Sequence, residues 1–246
     1  MEECNPVTTP TEFGVRLTIA EEGKKVNSTL YKHIVGSLMY LTTTRPDIMF
    51  SVCLISRYME NPTETHLFAA KRILRYLQGT RYLGLFYKKG ERSTLIGFTD
   101  SDFVGDQDDR KSTSGHVFLL GSTSVSWLSK KQLIVTLSTT EAEFVVATSC
   151  ACQAILLKKI LGELQFVQEE AIVIYCDNNS AIKLSQNPVL HGRSKHINVK
   201  YHYLRELTNG KVINLIYYRI EEQLATKALK LPTFEKLRRL IGVCKV

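Results

Sequence analysis

The stretch Leu95-Ile96-Gly97-Phe98-Thr99-Asp100 is an apolar run that ends in a carboxylate, and Ile172-Val173-Ile174-Tyr175-Cys176-Asp177 is a second run of this kind. Both have the composition of buried β-strands. Between them, Glu143 lies one turn into a predicted helix. Two strand-end carboxylates and one helix carboxylate can meet at one edge of a sheet, where their oxygens bind divalent cations. Such a cluster is typical of two-metal phosphodiester hydrolysis.

The composition is that of a globular chain. Its 246 residues are 44% hydrophobic and 23% charged, which suffices for one large domain or two small ones. The formal net charge of +8 favours an anionic partner, for which nucleic acid is one candidate.

The six cysteines form no CxxC pair and have no zinc-finger spacing with histidine, which argues against a zinc site. We expect free thiols and an intracellular, reducing compartment, either cytoplasm or nucleus. The sequence shows no signal peptide, and its longest apolar run is shorter than the roughly 20 residues that span a bilayer. We therefore predict no membrane partner.

Residues 1–90 are predicted to form a small, mainly helical region. Residues 1–26 are rich in Pro and Thr, then charged, and predict an extended lead-in. Apolar residues then recur at helical spacing, with breaks at Pro46 and Pro62. The predicted elements are helices over 28–43, 46–59 and 63–78 and a strand over 82–87.

Residues 91–246 are predicted to form a mixed α/β domain. Turn residues such as Gly121-Ser122 separate the strand-like runs, and Ser138 with Glu141 forms a capping-box pattern before a long helix. The predicted strands cover 94–100, 114–121, 123–128, 171–177 and 212–218. The predicted helices cover 139–164, 178–186, 199–208 and 232–241.

Each candidate carboxylate has an alternative role. Glu141 and Glu143 are about 200° apart on a helix, so they cannot share a face. Glu143 shares its stripe with small residues that let a helix approach a sheet, so it is the preferred ligand, and Glu141 is left to the cap. Asp100 follows its apolar run directly and is preferred over Asp102. Asp177 also suits a helix N-cap.

Short sequence motifs along nearly the whole chain resemble, in collinear order, those of the C-terminal segment of copia-type retrotransposon Pol polyproteins. Among them are Val35-Gly36-Ser37-Leu38-Met39-Tyr40, Thr44-Arg45-Pro46-Asp47, Thr99-Asp100-Ser101-Asp102, Leu137-Ser138-Thr139-Thr140-Glu141-Ala142-Glu143 and Tyr175-Cys176-Asp177-Asn178-Asn179. So many motifs in the same order form a specific match, whereas a single short motif would not. The resemblance assigns residues 1–90 to the end of the reverse transcriptase and its connection, and residues 91–246 to a ribonuclease H domain.

The resemblance implies a ribonuclease H-like mixed sheet flanked by helices, and an endonuclease for the RNA strand of RNA–DNA hybrids. It implies two Mg²⁺ ions, with Mn²⁺ as a substitute: one helps to generate the attacking hydroxide and the other stabilises the leaving oxygen. Asp100, Glu143 and Asp177 match three of the family's four acidic metal ligands, which makes them the predicted catalytic residues.

One departure concerns the fourth acid. Late in the ribonuclease H domain, the family has the motif Gln-x-Ala-Asp, followed by two residues and then Thr-Lys. This chain instead reads Gln223-Leu224-Ala225-Thr226-Lys227. The acid and two neighbours are missing near Ala225, so we expect impaired nuclease activity. Glu221 or Glu222 is a poor substitute, because functional sites tolerate only about 0.5 Å of misplacement. The catalytic aspartate-pair motif of reverse transcriptases is also absent from this sequence, so we expect no polymerase activity.

A basic segment follows the second strand-end acid. The candidate nucleic-acid contacts are His191, Arg193, Lys195, His196 and Lys200. Such cations neutralise phosphates in a salt-dependent manner, and the alternative is a merely solvated face. Lys71, Arg72 and Arg75 lie on the polar side of a predicted helix and can extend this basic track.

The sequence thus supports two functions of different classes. The first is a hybrid-cleaving nuclease that works beside the reverse transcriptase core of the same element. The second is a catalytically inactive nucleic-acid-binding relic of the polyprotein.

Overall fold

A computed structural model of the chain describes residues 4–19, 23–90, 94–186, 198–219 and 229–245, without the side chains of residues 198, 199 and 201. The α-helices are α1 (Ser28–Leu41), α2 (Met49–Ser56), α3 (Glu64–Gly79), α4 (Thr139–Glu163), α5 (Asn179–Gln186), α6 (Asn198–Asn209) and α7 (Leu231–Leu240). The strands are β1 (Leu83–Leu85), β2 (Leu95–Ser101), β3 (Thr113–Leu120), β4 (Thr123–Lys131), β5 (Ile172–Cys176), β6 (Ile213–Tyr217) and β7 (Val243–Lys245).

Five strands form a mixed sheet in the order β4-β3-β2-β5-β6. β2 pairs antiparallel with β3 and parallel with β5, so β2 is the central strand. A central strand is covered on both faces, which explains why β2 is a nearly continuous apolar run. A Cβ on Gly97 would lie 2.8 Å from the Phe118 ring and 3.3 Å from Ile174, so this strand position has room only for glycine. The mixed sheet flanked by helices confirms the predicted fold class.

Two apolar layers cover the sheet. On one face, α4, α5 and α6 bury a core that includes Phe118, Phe144 and Ile174. On the other face, Phe98 and Val117 pack with residues of α7 and β7. By length and composition α4 is apolar enough to cross a membrane, but half of its most apolar window is buried in the fold, as in a core helix.

The N-terminal helices have a separate core around Tyr31, Val35 and Ile73. α7 joins the two parts: Phe234 packs into this helical core, whereas Leu237 packs against the sheet. β7 then pairs antiparallel with β1. The chain therefore returns to its first 90 residues after completing the sheet, and the boundary near residue 90 stays a prediction.

The sequence placed most elements within two or three residues. The second predicted helix is divided into a 3-10 turn over Pro46–Ile48 and α2, which ends at Ser56 instead of Met59. The strand β7 was not predicted, because three residues are too few for an alternation pattern.

A candidate metal centre at the sheet edge

Glu143 and Asp177 lie together at one edge of the sheet, with Cys176 between them. One oxygen of each carboxylate and the Cys176 Sγ all lie within 4.8 Å of one another. Glu143 and Cys176 are buried and Asp177 is half-buried. Asp177 directly follows β5, so the parallel sheet itself delivers it to this edge.

Glu143 reaches the edge from α4. Its Oε1 accepts a hydrogen bond of 2.8 Å from the backbone N–H of Ser101, the last residue of β2. The small residues Ala147, Cys150 and Ala154 on the same helix are fully buried against the core and allow this close approach. The helix face and one backbone donor thus fix the carboxylate.

Glu141 has the capping role. Ser138 Oγ accepts from the Glu141 N–H, and Glu141 Oε2 accepts from the Leu137 N–H at 2.8 Å. The glutamate therefore reaches one residue further back than the usual capping box. Asn178 caps α5, because its Oδ1 accepts a hydrogen bond of 3.0 Å from the Ala181 N–H.

Asp100 lies on the neighbouring strand and is only 3% exposed. Thr99 pairs with Cys176 in the parallel register, so Asp100 and Asp177 are the next residues along adjacent strands. Alternation puts Asp100 on the α7 face with Phe98, whereas Glu143 approaches from the α4 face. Asp100 is therefore on the strand next to Asp177, but it is not part of the close group formed by Glu143, Cys176 and Asp177.

Cys176 is the residue that sequence reasoning missed. Its Sγ lies 3.9 Å from Glu143 Oε2 and 4.0 Å from the Asn178 carbonyl oxygen. Burial raises the pKa of this thiol, and the nearby charges of Glu143, Asp177 and Asp100 raise it further. The thiol is thus protonated at neutral pH. Its position next to Asp177 at a strand end was the available signal.

The donor set suits a hard divalent cation. Carboxylate oxygens are the ligands that Mg²⁺ and Mn²⁺ prefer, whereas a protonated thiol is not. Carboxylates that lie close together favour the binding of a cation between them. Glu143, Asp177 and Asp100 are the residues that would hold it.

Asp102 and Asp106 stabilise the loop after β2. Asp102 accepts from the Thr113 N–H and so closes the loop. Asp106 is 4% exposed and accepts from Arg57, the C-cap of α2, at 3.1 Å and from Lys131 of β4 at 3.0 Å. The loop that follows Asp100 is therefore anchored to the N-terminal helices.

The basic candidates fall into two groups. His191, Arg193, Lys195 and His196 lie outside the described residues. Lys200 is half-buried at the start of α6, and burial lowers the pKa of its ammonium group. It lines a cavity of about 560 Å³ between β4, α4 and α6.

The basic residues of α3 contact the chain itself. Arg75 Nε donates to the Asn5 carbonyl oxygen at 2.7 Å, and Arg72 donates to Thr9 Oγ1 at 3.2 Å. Arg72 also lies 3.7 Å from Glu12. The lead-in therefore occupies two of the three cations that were expected to extend the basic track.

The sheet order and the acids at its edge define a ribonuclease H-like α/β protein. The chain is 41% identical over 249 residues to the retrovirus-related Pol polyprotein from transposon RE1 of Arabidopsis thaliana, covering 100% of this chain and 17% of that protein. It is 41% identical over 253 residues to the Pol polyprotein from transposon TNT 1-94 of Nicotiana tabacum, covering 99% and 19%. The chain belongs to the copia-type retrotransposon Pol polyproteins, as predicted, and spans less than a fifth of these relatives. No protein-family model matches it.

Solved structures resemble the chain in part. An N-terminal ribonuclease H domain from Mycobacterium tuberculosis is 11% identical, with a TM-score of 0.41, covering 60% of this chain and 97% of that one. A foamy viral protease-reverse transcriptase in complex with double-stranded DNA is 15% identical, with a TM-score of 0.48, covering 82% and 40%.

Proposed function

We propose that this chain carries the ribonuclease H of a retrotransposon, with impaired activity. The reaction is metal-dependent endonucleolytic hydrolysis of the RNA strand in RNA–DNA hybrids. The observation that carries this proposal is the proximity of buried Glu143 to half-buried Asp177, at the edge where β2 also ends in Asp100 and Ser101. Membership of the Pol polyprotein family supports the same reaction.

Each acid has a distinct part in this proposal. Bound divalent cations would activate water and stabilise the leaving oxygen. Glu143 is fixed by the Ser101 N–H, and one of its carboxylate oxygens lies within 4.8 Å of one of Asp177. Asp100 provides negative charge from the α7 face. Together they set the place at which a scissile phosphate is held.

The impairment follows from the sequence at Ala225. The motif that should provide the fourth acid lies outside the described residues. The proposed impairment therefore rests only on the three residues of the family motif that this sequence lacks. Loss of a residue that supports a metal ligand lowers metal affinity or activity by about 10- to 100-fold, and we expect loss of a ligand to cost at least as much.

The test is cleavage of a labelled RNA–DNA hybrid with Mg²⁺ or Mn²⁺. We expect weak cleavage by the natural chain and none by Asp100→Asn. Insertion of Asp-Ala-Leu between Ala225 and Thr226 should raise the rate about 10- to 100-fold. The matched insertion of Asn-Ala-Leu should not. Full activity of the natural chain, unchanged by the Asp insertion, would refute the impairment.

The shortened motif near Ala225 also favours a second function, nucleic-acid binding by a catalytically inactive relic of the polyprotein. Hybrid binding by a chain that does not cleave, even with the Asp insertion, would support it. Lys195→Glu with Arg193→Glu should then weaken binding and flatten its dependence on salt. An unchanged salt slope would indicate a solvated face.

The proposed partners are an RNA–DNA hybrid and the reverse transcriptase core of the same element. Asp106 links the loop after Asp100 to Arg57 in the predicted connection region. That link gives the connection region a direct physical route to the candidate site.

A further inference from the structure

The outer face of α4 carries an apolar stripe that stays about half exposed in the described part of the chain. Leu156, Ile160 and Leu164 follow one another at intervals of four residues, and they are 50%, 45% and 61% exposed. Side chains at this spacing lie side by side along a helix. Just beyond the helix, Phe166 and Val167 are 50% and 67% exposed. Contiguous apolar patches of this kind mark interaction sites.

The patch is rigid because α4 is anchored on its other side. Cys150, Ala154 and Leu161 of the same helix are buried in the main core. The end of the helix is closed by a left-handed residue, Gln165, and by a hydrogen bond of 2.8 Å from the Phe166 N–H to the Leu161 carbonyl oxygen. This arrangement is a Schellman cap, which fixes the direction of the chain after the helix.

Two exposed charges flank the stripe on one side. Lys159 and Glu163 are four residues apart and lie along the same edge of the stripe. Their charges have opposite signs. Along the helix axis, Lys159 lies about 3 Å before Leu161 and Glu163 lies about 3 Å after it. This symmetry of charge is self-complementary for an antiparallel copy of the helix.

We propose that the occupant of this face is a second copy of the chain, with the two α4 helices packed antiparallel about a two-fold axis. At the level of Leu161, that axis puts Lys159 of each copy opposite Glu163 of the other. The same register puts Leu164 of each copy midway between Leu156 and Ile160 of the other, by the 1.5 Å rise per residue. Apolar side chains then interdigitate while opposite charges pair on the rim.

The first test is the oligomeric state of the full chain by sedimentation equilibrium over a wide concentration range. We expect a monomer–dimer equilibrium whose dissociation constant rises at least about tenfold in Leu156→Asp/Ile160→Asp. Leu133→Asp is the matched control, because Leu133 is an exposed leucine outside the patch. Circular dichroism melts verify that each variant folds. A monomer at every concentration, or a dimer indifferent to the double substitution, overturns the proposal.

The second test concerns the register. Lys159→Glu should weaken the dimer several-fold, and Lys159→Glu/Glu163→Lys should restore it. In a Cys152→Ser background, Ile160→Cys should form a covalent dimer on oxidation, because the two Cα atoms approach within disulfide range. Leu133→Cys in the same background should not. Failure of the charge exchange to restore the dimer overturns the antiparallel arrangement.

Discussion

The helical core and the sheet edge each bury charged side chains, but they do so in opposite ways. In the helical core, Asp47 meets Arg45 in two hydrogen bonds of 2.8 Å and also accepts from the Tyr76 hydroxyl at 2.6 Å. At the sheet edge, Glu143 and Asp177 share their space with another acid and a thiol. The first group pairs a carboxylate with a cation of its own chain, whereas the second brings like charges close together.

This difference separates a structural group from a candidate functional group. Arg45 also donates to the Thr80 carbonyl and hydroxyl, and Arg238 of α7 donates to the Tyr76 hydroxyl. Buried charges that are paired and hydrogen-bonded in this way maintain a specific arrangement. A buried group of like charges is tolerated where a cation or substrate completes it. Four substitutions test this contrast, from the largest expected effect to the smallest.

Asp47→Ala should have the largest effect. It leaves the Arg45 guanidinium buried without its carboxylate, which costs about 3–5 kcal/mol of folding free energy. Urea unfolding of the chain measures the loss. Asp47→Leu with Arg45→Met, which removes both charges, should recover part of it. A loss below about 1 kcal/mol for Asp47→Ala would show that the pair is not structural.

His116 is a third kind of buried group, neutral and kept so by burial. Desolvation lowers its pKa from 6.5 to about 4. As the pH falls from 6.5 to 4, the unfolded chain takes up a proton that the folded chain excludes, so stability declines by roughly 3 kcal/mol. His116→Leu should remove this part of the pH dependence, measured as unfolding free energy at pH 7 and pH 4.5. An unchanged pH profile would contradict the assignment.

Arg57→Ala should have an intermediate effect. Asp106 keeps Lys131 but loses its contact with α2, so we expect a loss of about 2 kcal/mol. Lys131→Ala is the control, because its side chain is 29% exposed and its ion pairs with Asp106 and Asp109 should each contribute less than about 1 kcal/mol. Equal losses for the two variants would mean that the contact with α2 adds nothing.

Glu143→Gln should have the smallest effect on stability and the opposite sign. The amide keeps an oxygen for the Ser101 N–H but removes one of the like charges, so the metal-free protein should gain about 1 kcal/mol. It should also lose any rise in Tm that Mg²⁺ or Mn²⁺ gives to the natural chain. Glu169→Gln, an exposed change, is the control. A destabilised variant with an intact cation response would place the metal elsewhere.

Local pattern was enough to predict most of the fold. The cap at Ser138, the apolar run of β2 and the helical spacing in α1 are each encoded within a few turns or one strand. The pairing of β2 with β5 is not encoded locally. The acid at the end of each apolar run nevertheless indicated that the two runs end at the same edge of the sheet. Both runs are buried parallel strands, and such strands end at the same edge of a sheet.

The candidate site was predicted less completely. Asp100, Glu143 and Asp177 were chosen from sequence, and their assignment as ligands stays a prediction. Cys176 was not chosen, because a lone cysteine in an apolar run is usually a core residue. The approach of Glu143 and Asp100 from opposite faces also depends on α4 and α7 covering different sides of the sheet.

The sequence by itself determined the family, the order of the elements and the three acids, because periodicity and word order are properties of neighbouring residues. Tertiary structure alone decided which charges meet. It gave Arg72 and Arg75 to the lead-in, Arg57 to Asp106, and α7 to both cores. These partners lie 49 to 70 residues apart in the pairs that involve arginine. Contacts over such distances follow from packing of whole elements, which no local pattern specifies.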